Sequence, residues 1–397
     1  MSRASGRPPA PAPRAALRFV VLLGVVSLFA DATYEGARSI TGPYLGLLGA
    51  SAATVGVVAG LGELIGYGLR LASGYLADRT RRYWAITVVG YAVNLGAVPL
   101  LALVGHWPIA AALIVAERVG KALRTPARDA MLSHATQQMG RGWGFGVHEA
   151  LDQVGAVLGP LVVAGVVLTR SSYRLGFAVL AIPAALALAV LVVARFLYPR
   201  PRDLETAAPR LEAAGLRRPF WVYLAGMALV GAGYADFPLI AFHLGQRAVA
   251  PAAAIPVLYA VAMGVDALAA LIFGRLFDRH GLPVLTVAVL VSALFAPLVF
   301  LGGFAAAAAG MVLWGVGMGA QESIMRAAVA GMAPPDRRGA AYGIFNTGYG
   351  LCWFLGSAAM GLLYGVSTAG LVLFSVAAQL AAIPLLLWVG RVMRGAR

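Results

Sequence analysis

Cysteine is nearly absent from this chain: Cys352 is the only one among 397 residues. An intramolecular disulfide and any multi-cysteine metal site are thereby excluded. Charge is scarce too, at 12% of residues, against about 25% in an ordinary soluble domain. Lysine is almost missing, since Lys121 stands alone and all other positive charge is arginine. No Gly-x-x-x-x-Gly-Lys-Ser/Thr sequence occurs, so ATP-driven transport by this chain has no support. His148 and Glu149 open the string HEALD, but no second histidine follows at metalloprotease spacing. The glycines of GVGMG at 315–319 lie inside an apolar stretch, not between a strand and a soluble helix. Nothing here reads as an enzyme, and no cofactor is expected. A cleavable signal peptide is not expected either. Residues 1–16 are rich in Pro, Ala and Arg and read as a short disordered cytoplasmic tail, and the apolar stretch after them is too long for a signal core.

What the chain has is apolar length: 60% of its residues are hydrophobic. Windows of about 20 residues predict about twelve spans in an all-α membrane protein. The spans fall at 17–48, 52–77, 83–105, 108–133, 143–168, 173–197, 219–245, 252–277, 283–304, 306–332, 340–365 and 368–391. The polar segment 198–218 splits the chain into a six-helix bundle at 17–197 and another at 219–391, with a short tail at 392–397. The net charge of +15 does not imply nucleic acid, because the arginines lie between spans and at the termini. They crowd one side: Arg3, Arg7, Arg14 and Arg18, then Arg79, Arg81 and Arg82, the central linker, Arg337 and Arg338, and the C-terminus. The positive-inside rule then makes both termini and the linker cytoplasmic. Its expected partner at this point is a lipid bilayer. The Ala, Gly and Arg bias points to a bacterial plasma (inner) membrane, and a monomer is expected.

The halves repeat. Gly74, Asp78 and Arg79 in GYLADR recur as Gly274, Asp278 and Arg279 in GRLFDR, 274 − 74 = 200 positions later. Gly159 and Gly356 mark a second repeat, 356 − 159 = 197 apart. This duplicated loop motif, with its paired six-span units, resembles the major facilitator superfamily over nearly the whole chain. The resemblance implies two pseudo-symmetric six-helix bundles and secondary transport by alternating access. It implies that Gly74, Asp78, Arg79, Gly274, Asp278 and Arg279 form a conformational latch, against the plainer reading of a capped helix end. Arg81 departs from the motif, standing where a second glycine belongs. Arg118 matches the family's span-4 arginine, with Lys121 and Ala122 in place of its Gln and Gly. Gly155, Gly159, Pro160 and Gly165 resemble the span-5 antiporter motif, which favours export, although its final glycine pair is not intact.

Intramembrane charge is confined to certain spans. Spans 3, 6, 9 and 12 carry none except near their ends, as lipid-facing helices should. Asp31, Glu35 and Arg38 share one stripe, as do Glu117, Lys121, Arg124 and Arg128, while Glu149 and Asp152 are one turn apart. Neighbouring carboxyls in a low dielectric repel, so one of them is expected to exchange a proton. Asp31, Glu35, Glu149 and Asp152 are therefore the proton-coupling candidates. The alternative is a static network pairing Glu35 with Arg38 and Asp31 with a span-4 cation. Substrate contact is expected from Arg38, Arg118, Lys121, Tyr234, Asp236, Glu322, Asn346, Tyr349 and Trp353, a mixture suited to an apolar solute with a few polar anchors. The leading reading is a proton-coupled exporter of a small organic molecule. Uptake of a charged or zwitterionic metabolite is the runner-up, with metal-ion export behind it. A non-transporting receptor or scramblase is the competing class.

Overall fold

Lipid offers backbone N–H and C=O groups no partner, so an apolar segment that crosses it satisfies its own in a helix. The computed structural model describes residues 13–136, 141–199, 216–333 and 338–395. Fifteen α-helices occur among them. In the first half these are α1 Pro13–Leu47, α2 Ala52–Thr80, α3 Tyr83–Leu100, α4 Trp107–Thr136, α5 Arg141–Arg170, α6 Tyr173–Val179 and α7 Ala181–Leu197. The second half has α8 Arg218–Gly233, α9 Phe237–Gln246, α10 Ala254–His280, α11 Pro283–Ser292, α12 Phe295–Leu301, α13 Phe304–Met332, α14 Arg338–Val366 and α15 Thr368–Gly395. Three pairs, α6–α7, α8–α9 and α11–α12, each form one broken rod, which leaves twelve rods among the described residues. Each coincides with an expected span to within a few residues. Eleven are long and apolar enough to cross a membrane. The exception, α4, carries Glu117, Arg118, Lys121, Arg124, Arg128 and Asp129.

At the ends the structure corrects the expected limits. Helix α1 starts at Pro13, inside the supposed tail, and α15 continues to Gly395. Residues 1–12 of the N-terminal tail, 200–215 of the central linker, Arg337, and 396–397 lie outside the described residues.

The internal repeat reappears as packing. A Cβ on Gly159 of α5 would stand 2.1 Å from the Ala32 carbonyl oxygen of α1, and one on Gly356 of α14 would stand 2.0 Å from that of Ala232 on α8. Both contacts need glycine, because only a missing side chain lets two helix backbones approach so closely. The turn after α2 repeats as well. Arg81 caps it at φ 55°, and Gly281 caps α10 at φ 71°. A left-handed residue at that position explains why glycine suits it and what Arg81 costs in its place.

The break between α8 and α9 follows from Pro238 near the start of α9, which has no N–H to donate to the carbonyl of Tyr234 four residues earlier and whose ring clashes with it. It frees backbone carbonyls at membrane depth, and side chains from the neighbouring helices take them up. Trp314 Nε1 donates to Ala235 O at 2.9 Å and Ser375 Oγ to Gly233 O at 2.6 Å, while the Tyr234 hydroxyl donates to Trp314 O. Such local repair is what permits a broken helix in lipid.

Across the halves α1 packs on α9, α2 on α14 and α5 on α10, whereas α4 and α13 share no extended contact. Gly42 and Gly46 bring α1 against Pro238 and Phe242 of α9. The molecule is thus closed at the arginine-poor end.

Candidate functional site

The charged stripe of α1 sits at the centre of this packing. Asp31 and Glu35 are 7% and 8% exposed. Arg38 reaches away from Glu35 to two other elements: its Nη2 lies 2.9 Å from Glu63 on α2 and 3.2 Å from Asp236 at the head of α9. Asp236 does not cap α9 through its side chain, so its carboxylate is available to both Arg38 and Ser357, whose Oγ donates at 2.7 Å. From Glu63 the network passes to Arg118 at 3.7 Å, then from Arg118 Nε to Glu117 at 3.2 Å. Asn94 Nδ2 closes it by donating to Glu117 at 2.7 Å. Burial of so many charges is tolerable because each finds an opposite charge or a hydrogen bond.

A second branch holds Glu35. Lys121 Nζ lies 3.8 Å from its carboxylate and sits over the Tyr34 ring at 3.7 Å. On the other side the Tyr259 hydroxyl of α10 donates to Glu35. The static pairing expected from spacing, Glu35 with Arg38, is therefore not the one formed, because acids of α2 and α9 converge on Arg38 while Lys121 and Tyr259 occupy Glu35. Nor does Asp31 form an ion pair with any described residue. Lys121 and Arg124 act on it electrostatically, but its Oδ1 has no hydrogen-bond partner.

Asp152 belongs to a third group. Arg128 Nη1 donates to Ser27 Oγ at 2.9 Å, and Ser27 Oγ is hydrogen-bonded to His148 Nε2 at 3.0 Å. His148 Nδ1 lies 3.5 Å from Asp152. Asp31 and Arg128 both act on Asp152. Glu149 is exposed and acts both on Asp152, one turn along α5, and on Asp266 of α10.

The aromatic candidates are covered. Tyr234, Tyr349 and Trp353 are at most 2% exposed. Trp353 packs between the rings of the other two, and Tyr349 donates to Gln321 at 2.9 Å. In this closed arrangement they form the interior of the second half. Asn346 is half-buried on α14, and Glu322 is exposed on α13. Gly74 meets Pro126 of α4 at ordinary contact distance, and Arg79 donates to Tyr75 at 3.4 Å. Asp278 and Arg279 are exposed and form no ion pair with any described residue; the side chain of Asp78 lies outside the described ones.

Several partners were missed in the sequence. Glu63 was visible as the only acid deep in span 2, and His148 as a buried histidine in span 5. Nothing separates Tyr259, Ser357 or Ser27 from the other tyrosines and serines until the helices are packed.

The Major Facilitator Superfamily model matches residues 20–357. An uncharacterised protein of Mycobacterium tuberculosis is 45% identical over 375 residues, 93% of this chain and 92% of its own length. An uncharacterised MFS-type transporter of Methanocaldococcus jannaschii is 34% identical over 140 residues, 35% of each chain. Among solved structures, the nucleoside transporter NupG superposes with a TM-score of 0.74 at 15% identity, covering 95% of this chain and 99% of that one. A bacterial homologue of the human lysosomal transporter Spinster gives the same score at 15% identity, over 98% and 99%. The chain belongs to the major facilitator superfamily, and is a secondary transporter of twelve helical rods in two bundles.

Proposed function

We propose that the chain exports a small organic molecule in exchange for protons, with Asp31 carrying the proton. The observation that supports this most directly is the uncommitted oxygen of a buried Asp31 beside a shared cation. Asp31 can gain or lose a proton without first breaking an ion pair, whereas Glu35 would have to surrender Lys121. Lys121 acts on both acids. When Asp31 ionises it draws Lys121 away from Glu35, and Glu35 is the residue that holds Tyr259 in the other half. A proton at Asp31 thereby changes a contact between halves, which is the differential interaction that population shift requires. Arg118 and Lys121 serve charge balance in this reading, because both are engaged by carboxylates. Gly155 and Gly159 seat α5 on α1 at Leu28 and Ala32, on either side of Asp31, which ties the antiporter-like motif to the proton site. In this reading the crowding of arginine at one end makes that end cytoplasmic, and the end at which α1 closes on α9 faces the opposite side.

The test uses inverted membrane vesicles acidified inside by respiration and reported by a quenched acridine dye. Exported solutes should release luminal protons and restore fluorescence in wild-type vesicles, but not with Asp31→Asn. Equal recovery with Asp31→Asn, or solute-driven proton movement only in the opposite sense, would sink the reading.

A further inference from the structure

At the arginine-rich end of the second half two tryptophans stand open. Trp221 of α8 is 47% exposed and Trp388 of α15 is 37% exposed. Trp84, at the same end of the first half, is buried and donates its indole N–H to Tyr198 O at 2.9 Å. The indole N–H groups of Trp221 and Trp388 meet no described acceptor. Each tryptophan has an exposed arginine one turn further toward that end: Arg218 precedes Trp221, and Arg391 follows Trp388. The two helices pack antiparallel, Gly226 against Leu386 and Gly233 against Ser375, which brings both pairs to one level. The Arg218 guanidinium stands over the Trp388 ring, 5.5 Å from its centroid. Neither Arg218 nor Arg391 forms an ion pair with any described residue. Residues 200–215, which precede α8, hold three arginines and three acids, so their charges cancel and do not offset this pair. Deeper along the same stripes Ala225 and Pro384 are exposed as well, so hydrocarbon lies against the faces that carry the charge.

The first half supplies the comparison. Arg18 lies 218 − 18 = 200 positions before Arg218, and Arg195 lies near the end of α7 as Arg391 does near the end of α15. Their neighbours one turn inward are Val21 and Val192, both exposed. Orientation in the membrane requires the arginines of both halves, but not tryptophans in one half alone. A guanidinium offers paired N–H groups that match two oxygens of one phosphate. An exposed indole adds an N–H donor on an apolar body suited to headgroup depth. Two guanidiniums at one level favour a headgroup with net negative charge over one that carries its own cation.

We propose that Arg218, Trp221, Trp388 and Arg391 bind the phosphate of an anionic phospholipid in the cytoplasmic leaflet. The choice of leaflet rests on the orientation given above; the site itself does not.

The test is native mass spectrometry of the full chain in a neutral detergent, titrated with phosphatidylglycerol or phosphatidylcholine of the same acyl chains. Saturable binding of phosphatidylglycerol is expected, about tenfold tighter than that of phosphatidylcholine, the weight of one charge-assisted contact. Arg218→Gln with Arg391→Gln should abolish that preference, and Trp388→Leu should reduce it. Arg18→Gln with Arg195→Gln removes the same charge from the first half and should leave it intact. Unfolding temperature, measured in parallel with inorganic phosphate in place of lipid, should not rise. Equal binding of the two lipids overturns the proposal. So does a preference that survives loss of Arg218 and Arg391, or one that falls equally when Arg18 and Arg195 are replaced. If the second-half double variant does not fold, Arg391→Gln alone decides by the same criteria. Stabilisation by inorganic phosphate that depends on Arg218 would make this a soluble-phosphate site and overturn the lipid assignment.

Discussion

Arg38→Met removes the cation that ties the two halves together. Arg38 lies 2.9 Å from Glu63 and 3.2 Å from Asp236, and its side chain is 12% exposed. Removing one partner of a buried ion pair costs about 3–5 kcal/mol, because it strands the other charge. The lower figure applies, since Glu63 keeps Arg118 at 3.7 Å and Asp236 keeps Ser357 at 2.7 Å. The cost falls on the arrangement closed at the arginine-poor end, where α1 meets α9. A loss of about 3 kcal/mol shifts a two-state equilibrium roughly 150-fold, enough to bring a state populated at about 1% to parity with its rival. The change can be read as a distance. Cys352 is the only cysteine, so Cys352→Ser supplies a clean background for spin labels at Leu47→Cys and Ala252→Cys, exposed positions of the two halves at that end. Wild type should give one short distance, and Arg38→Met a second, longer population. Arg38→Met with Asp236→Asn should not open further than Arg38→Met alone, because the coupled pair is already broken. An unchanged short distance in both variants would refute the argument that this pair holds the closed end.

Tyr259→Phe removes the hydroxyl that binds Glu35 across the halves; a hydrogen bond to a charged group is worth about 1.5–3 kcal/mol, so the same spin labels should report partial opening, smaller than that of Arg38→Met. Gly159→Ala and Gly356→Ala each force a Cβ to about 2 Å from a carbonyl oxygen. Overpacking of that kind costs about 1–3 kcal/mol or more, so both variants should lose thermal stability in detergent to a similar extent. Gly281→Ala must adopt φ 71° and ψ −155°, a region essentially confined to glycine at a cost of about 1–3 kcal/mol. Its melting temperature should fall, whereas Arg81→Gly at φ 55° should leave stability unchanged or raise it.

The repeat shows why so much of the fold was legible. GYLADR and GRLFDR are 200 positions apart, and the turns after them each carry a residue at positive φ, Arg81 in one and Gly281 in the other. Glycines 197 positions apart seat equivalent helix pairs on Ala32 and Ala232. Such contacts are local in character: a motif needs a turn, and a glycine needs a close neighbour. The site was less legible, because its residues were visible and its pairings were not. Spacing along α1 suggested that Glu35 would meet Arg38, but a buried charge takes the partner that best compensates its desolvation, wherever in the chain that partner lies. For Arg38 those partners are 25 and 198 positions away.

The sequence by itself determined that this chain spans a membrane many times, in two repeated halves, with its charges kept on inward helices. Those properties follow from composition and period, because lipid penalises every exposed polar group in the same way wherever it occurs. Only the tertiary structure decided which charges meet. It committed Arg38 to Asp236 and Glu35 to Tyr259 across the halves, and left Asp31 and Asp266 with uncommitted oxygens. Electrostatic energy depends on distances between helices, and no spacing along one helix contains them.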